Sequence, residues 1–246
     1  QALVCRNILE KPDITQREMA KNMDISLGTV NGLVKECLAE GYIAEEENGK
    51  EKHLILLEKG KELLKPYKVD GALIIAAGFG SRFVPLTFET PKGLLEVFGE
   101  RMIERQIKQL HEVGIYDITI VVGYLKEKFE YLIDKFDVKL LYNPEYSCKN
   151  TLATVYRARK FLKGRNVYIL SSDNWMRENM YHSYECGAWY SAAHEEGETK
   201  EWCLTFNKKG RISDVNVGGK DAWFMYGPVY LSREFSARFL PVLEAY

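Results

Sequence analysis

The chain has 246 residues, 46% of them hydrophobic and 28% charged, with a formal net charge of −1; this is a globular composition, long enough for two domains with separate cores, and it excludes disorder. No apolar run approaches the ~20 residues of a membrane span and the N-terminus lacks the apolar core of a signal peptide, so a cytoplasmic protein without a membrane partner is expected. The cysteines Cys5, Cys37, Cys148, Cys186 and Cys203 are scattered and include no CxxC pair, which argues against a disulfide framework or a zinc knot.

Gln1 stands where an initiator methionine would, so the sequence is expected to be part of a longer chain. Residues 3–9 fit a short helix. Thr15 opens a second, with Glu18 completing a capping box, and Ser26 opens a third that runs to about Glu40. Residues 42–45 and 53–57 flank the turn signal Asn48-Gly49 as two strands, and an amphipathic segment over 58–65 ends at Pro66. Residues 67–70 are the expected linker. Three helices and a hairpin are the order of a winged helix-turn-helix, and TQREMAKNMDISLGTVNGLVKECLAEGYI, residues 15–43, resembles the winged-helix domains of bacterial regulators. The resemblance implies a domain over residues 1–66. It would either bind duplex DNA, with Ser26, Thr29, Asn31 and Lys35 toward a groove, or serve for interaction or dimerisation, which leaves a homodimer open. Charge weighs against strong DNA binding. Residues 1–70 hold 11 Lys and Arg against 13 Asp and Glu, and the hairpin itself carries Glu45, Glu46 and Glu47.

From Gly71 onward, strand and helix alternate. Residues 72–77, 117–122, 139–142 and 167–171 read as strands, and 101–113, 125–136 and 150–162 as helices. Residues 189–193, 201–206, 212–217 and 222–230 alternate as antiparallel or mixed strands would. The expectation is an α/β sheet with helices on its faces and ligands at the carboxyl ends of its strands.

The segment LIIAAGFGSRFVPLTFETPKGLLEVFG, residues 73–99, runs an apolar strand into a glycine-rich loop. Gly78 and Gly80 permit a sharp turn with bare amides that can cradle phosphate oxygens. Arg82 adds a planar charge, Pro85 and Pro91 stiffen the return path, and Lys92 adds a mobile point charge. A P-loop is excluded because GxxxxGK[ST] is absent, and a dinucleotide fingerprint because Phe83 stands where the third glycine belongs. Asp173, in SSDN after an apolar strand, is placed to hold Mg²⁺ shared with substrate phosphates, or else to cap a helix beginning at Asn174.

The run AAGFGSRFVPLTFETPK resembles the signature of nucleotidyltransferases that make sugar nucleotides and CDP-alcohols. Residues 120–132, 140–156, 168–176 and 199–206 narrow the likeness to bacterial CTP:phosphocholine cytidylyltransferases, over roughly residues 71–232. The resemblance implies a Rossmann-like α/β fold of the nucleotide-diphospho-sugar transferase type, with a mixed sheet, over residues 71–246. It implies CMP transfer from CTP to phosphocholine with Mg²⁺ as cofactor. Arg82, Lys92 and Asp173 would be catalytic, and Ala76, Ala77, Gly78, Phe79, Gly80 and Ser81 would hold the nucleotide. Asn150, with Thr154 a lesser candidate, would read the base, unless Asn150 is a simple helix cap. Tyr124 lies near this mouth, with packing as its other role. Trp202, in the KEW triplet, would face the choline cation, and Trp223 or Tyr226 would form a further wall or be core. The family's second metal carboxylate would lie beyond Tyr246, and Ser171 stands where relatives often carry an acid. A sugar-1-phosphate nucleotidyltransferase and a nucleotide-sensing DNA-binding regulator are the alternatives.

Overall fold

A computed structural model describes residues 1–48, 51–208 and 210–245, so Gly49 of the expected turn lies outside the described residues. The chain forms two compact units. One comprises Gln1–Lys68 with Tyr184–Cys186, the other Val69–Ser183 with Gly187–Tyr246.

In the first unit, α1 (Ala2–Glu10), α2 (Gln16–Met23) and α3 (Leu27–Ala39) precede β1 (Ile43–Asn48), β2 (Glu51–Leu56) and α4 (Glu58–Leu64). The capping box forms as expected. Thr15 Oγ1 accepts the Glu18 amide at 3.2 Å and the Glu18 carboxylate accepts the Thr15 amide at 2.8 Å, so two otherwise orphaned amides at the helix start are satisfied. Ser26 caps α3 by accepting the Thr29 amide at 3.1 Å. Val4, Ile8, Met19, Val30, Val34, Ile43 and Leu64 make the core. Antiparallel pairing runs from Ile43↔Leu56 to Asn48↔Glu51, longer than alternation suggests, because the run Glu45–Glu47 hides the strand period. The segment Tyr184–Cys186 is held by a buried Arg6–Glu185 ion pair at 2.9 Å and by the Glu185 amide on Tyr67 O. Ser26, Thr29, Asn31 and Lys35 are all exposed.

The second unit opens with β3 (Gly71–Ala76), followed by the two-residue strands β4 (Glu96–Val97) and β5 (Glu100–Arg101), then α5 (Met102–Glu112) and β6 (Ile118–Val122). The chain continues through α6 (Tyr131–Phe136), β7 (Lys139–Tyr142), α7 (Thr151–Arg157), α8 (Arg159–Leu162), β8 (Val167–Ser171), β9 (Trp189–Phe206), β10 (Ile212–Leu231) and α9 (Arg233–Ala245). The six-stranded sheet has the order β7-β6-β3-β8-β10-β9. Strands β7, β6, β3 and β8 are parallel, while β10 is antiparallel to both β8 and β9.

Residues of β3 alternate between two cores, as the strand period requires. Ala72, Ile74 and Ala76 join Ile103, Ile107 and Leu110 of α5 on one face. Leu73 joins Val155, Leu162 and Leu243 on the other, with Ile75 packed against them. Because β6 and β8 flank β3 on opposite sides, the carboxyl ends of β3 and β8 form a switch point where a crevice opens.

Two expected helices and the four later strands differ in detail. Residues 125–136 form a short 3₁₀ turn, Lys126–Phe129, and then α6, and Leu125, with a left-handed φ of 46°, stands outside both. The helix over 150–162 breaks at Ala158 into α7 and α8. The four later strands join into the long β9 and β10, bent where Gly197 and Gly218 take φ of 92° and 80°. Trp223 thereby pairs with both Leu204 and His194.

Candidate active site

Strand β3 delivers the glycine loop and β8, its neighbour in register (Ile75↔Ser171), delivers Asp173. Gly80 takes φ of 71°, and a Cβ there would stand 3.1 Å from Lys92 Cβ and from Thr87 Cγ2. Buried Thr87 fixes the loop by donating to Gly80 O at 3.1 Å. Only glycine suits both the left-handed backbone and this close approach. Gly93 has a similar role. A Cβ on it would fall 2.7 Å from Ser172 Cβ, so the backbone beside Lys92 lies directly on the turn that carries Asp173.

Lys92 and Asp173 form an ion pair, each about one-fifth to one-quarter exposed. The Lys92 ammonium also lies 4.4 Å from the centre of the Phe83 ring, and Ser171 Oγ donates to Asp173 Oδ1 at 2.5 Å. Burial by itself would raise the Asp173 carboxyl pKa. Hydrogen bonds from Lys92 and Ser171, together with the Lys92 charge, outweigh it and hold the group below its ordinary value. Asp173 is therefore a carboxylate at neutral pH. No helix begins at Asn174, so the helix-cap reading of Asp173 fails.

A cavity of about 1180 Å³ lies at the switch point. Of the residues expected at the site, Ala76, Gly78, Gly80, Arg82, Lys92, Asn150, Asp173, Trp202 and Tyr226 line it. Arg82 is extended and exposed, 3.6 Å from Glu201. Asn150 both lines the cavity and caps α7, accepting the Ala153 amide at 3.2 Å.

The other expected residues do not line this cavity. Ala77 is buried, with its carbonyl taken by the Tyr124 amide. Phe79 and Tyr124 meet edge to face at 4.7 Å, and Tyr124 donates its hydroxyl to Phe88 O at 2.9 Å, so both brace the loop from behind. Ser81 is exposed at the start of a 3₁₀ turn. Thr154 is buried and its hydroxyl accepts from Asn143 Nδ2 at 3.1 Å. Trp223 stands edge-on to His194, ring centres 5.4 Å apart.

The nucleotidyl transferase family profile matches residues 71–195, and a winged helix-turn-helix DNA-binding profile matches residues 6–44. The choline-phosphate cytidylyltransferase of Streptococcus pneumoniae is 37% identical over 156 residues, covering 63% of this chain and 67% of that protein. The chain belongs to the nucleotidyl transferase family. A 2-aminoethylphosphonate cytidylyltransferase of Lancefieldella rimae is 36% identical, over 65% of this chain and 66% of the relative. Among solved structures, a CTP:phosphocholine cytidylyltransferase from S. pneumoniae superposes with a TM-score of 0.67 at 33% identity, over 72% of this chain and 76% of that one.

The nucleotidyltransferase cavity also contains residues that sequence reasoning missed. Trp189 and Tyr190 line it, although the alternating pattern at 189–193 marked only a strand. Outside that lining, Glu201, beside Trp202 in the KEW triplet, is the ion-pair partner of Arg82, a long-range contact that no local pattern marks.

Proposed function

We propose that this nucleotidyltransferase transfers CMP from CTP to phosphocholine, giving CDP-choline and pyrophosphate. The observation that carries the reading is a single cavity lined both by Gly78, Gly80, Arg82, Lys92 and Asp173 and by the aromatic side chains of Tyr190, Trp202 and Tyr226. The first group suits a triphosphate. Aromatic faces suit a quaternary ammonium, which has no hydrogen-bond donor and is held by the ring quadrupole.

An oxygen of the acceptor phosphate attacks the α-phosphorus of CTP. The bond from that phosphorus to the α,β-bridging oxygen breaks, and pyrophosphate leaves with the electron pair. Two anions must approach in line, so alignment and positive charge matter more than a general base. Lys92, leaving Asp173, neutralises the α-phosphate and the incoming phosphate. Arg82 and the glycine-loop amides hold the remaining phosphates, and an exposed ion pair such as Arg82–Glu201, worth roughly 0–1 kcal/mol, gives way easily. Asn150, ordered by its capping bond, is the proposed reader of the base.

The donor set fits Mg²⁺. Asp173 offers one ionised carboxylate, and Mg²⁺ binds through one or two carboxylates plus water and substrate phosphates. Among the described residues no group of three His, Cys, Asp or Glu could hold a metal by itself, so substrate phosphates would complete the site. When bound, the ion offsets phosphate charge and favours departure of pyrophosphate.

A primary ammonium, as in 2-aminoethylphosphonate, calls for hydrogen-bond acceptors rather than ring faces. The test is pyrophosphate release across a panel of four NTPs with phosphocholine, phosphoethanolamine, 2-aminoethylphosphonate and glucose 1-phosphate. CTP with phosphocholine is expected to give the highest kcat/KM. Preference for the sugar phosphate would move the assignment to the sugar branch. Nucleotide binding that alters DNA affinity without turnover would favour a sensor. For the winged unit we propose an interaction or dimerisation role, supported by its excess of acidic residues.

A further inference from the structure

Helix α5 carries Ile103, Ile107 and Leu110 on its buried face, and Gln106 stands within that apolar stripe, fully buried. Burying an amide there is costly unless it is hydrogen-bonded, and among the described residues its Oε1 meets no hydrogen-bond donor. Both protons of Nε2 are used. They go to Ser171 O at 3.0 Å and Asn174 O at 2.8 Å, the two ends of the turn that presents Asp173. The Asn174 amide closes the same turn on Ser171 O at 3.2 Å, and Gly93 rests on Ser172 in its middle.

We propose that Gln106 is a positioning residue for the phosphoryl-transfer step: by bridging Ser171 and Asn174 it fixes the turn that sets both Asp173 and, through Gly93, Lys92. The inference rests on the activity proposed above. Its neighbour Gln109 supplies the contrast. Gln109 is also buried and donates to Met176 O at 3.1 Å, but that carbonyl has a second donor in Arg105 Nε at 2.6 Å. Replacing Gln106 leaves Asn174 O without its side-chain donor, whereas replacing Gln109 leaves Met176 O satisfied.

The experiment compares Gln106→Met and Gln109→Met, near-isosteric changes that remove the donors. In Gln106→Met, kcat is expected to fall about 10- to 100-fold, the scale of a misplacement of about 1 Å, while KM for CTP changes less than about 3-fold. Gln109→Met should stay within about 3-fold of wild type in both. Hydrogen exchange by mass spectrometry supplies a readout independent of turnover: amides of residues 172–176 should exchange at least about 10-fold faster in Gln106→Met than in Gln109→Met. Should Gln106→Met not fold, Gln106→Asn, one methylene shorter with a polar amide retained, carries the same expectation. Equal kcat losses in the two positions, or unchanged exchange in that turn, would overturn the proposal and make Gln106 a packing residue. A wild-type chain that released no pyrophosphate would refute the proposed activity instead, and the exchange comparison would still decide whether Gln106 orders the turn.

Discussion

Replacing Trp202 by alanine tests the least direct step, the identity of the acceptor. Trp202 lines the cavity and is 56% exposed, so a bound cation would cover a ring face that is now half solvated. A cation–π contact is worth about 0.5–1 kcal/mol at exposed sites and about 2 when desolvated. An intermediate value of about 1 kcal/mol corresponds to a rise of about 5-fold in KM for phosphocholine. Tyr190 and Tyr226 remain, so the loss is partial. KM for CTP should stay within about 2-fold, because the ring is not among the phosphate-side groups, and Trp202→Phe should lose less than Trp202→Ala. The assay is initial-rate pyrophosphate release, varying one substrate at saturation of the other, with phosphoethanolamine as a comparison whose disadvantage should shrink in Trp202→Ala. Equal rises in both KM values, or no rise at all, would refute the placement of the choline group against Trp202.

Lys92→Ala and Arg82→Ala should each lower kcat/KM by about two to three orders of magnitude, as loss of an electrostatic transition-state contact does; near-wild-type rates would remove them from the mechanism. Asp173→Asn should weaken Mg²⁺ dependence and turnover together, checked by titrating Mg²⁺ against rate, and full Mg²⁺-dependent activity in the variant would dismiss Asp173 as a ligand. The same variant bears on acid stability. Since the folded Asp173 pKa is depressed, its contribution is present above the unfolded carboxylate value of about 3.9 and is lost as pH falls through the lower folded value; Asp173→Asn should flatten the stability loss in that window, followed by denaturant unfolding at stepped pH. Fluorescence anisotropy with labelled duplex DNA at physiological salt should show no binding tighter than the nonspecific range of about 10⁻⁴ to 10⁻⁶ M; a nanomolar complex would reverse the reading of the winged unit.

The strands and loops that build the site were legible because their signals are local. An apolar run such as residues 72–77, a glycine turn and a capping pair such as Thr15 and Glu18 each depend on a few adjacent residues. Side-chain direction was not local. In β10 a register irregularity between Met225 and Val229 breaks the alternation, so the consecutive residues Met225 and Tyr226 both line the cavity while Trp223 does not. Phe79 and Tyr124 sit in the right loops, yet pack on each other rather than line the cavity, a pairing between residues 45 apart that no local pattern reveals. Strands β4 and β5 are two residues each, below the length at which any period can be read.

The cavity carries its charge as cation–carboxylate pairs: Lys92 with Asp173, and Arg82 with Glu201 near its edge. Both cations proposed to meet phosphate are thus occupied beforehand, and the Lys92 partner helps hold the Asp173 carboxyl below its ordinary value in a partly desolvated place where an unpaired carboxylate would be costly. Nucleotide binding at such a site exchanges ion pairs rather than creating them. A triphosphate arriving alone would draw Lys92 away and leave Asp173 facing phosphate oxygens, a like-charge contact. Arriving with a divalent cation, it would offer Asp173 a replacement partner at the moment Lys92 departs. The proposed binding mode therefore predicts a preference for the metal-bound nucleotide over the free one, and Asp173→Asn, by removing the carboxylate that would repel free phosphate, should narrow that preference even as it slows the reaction.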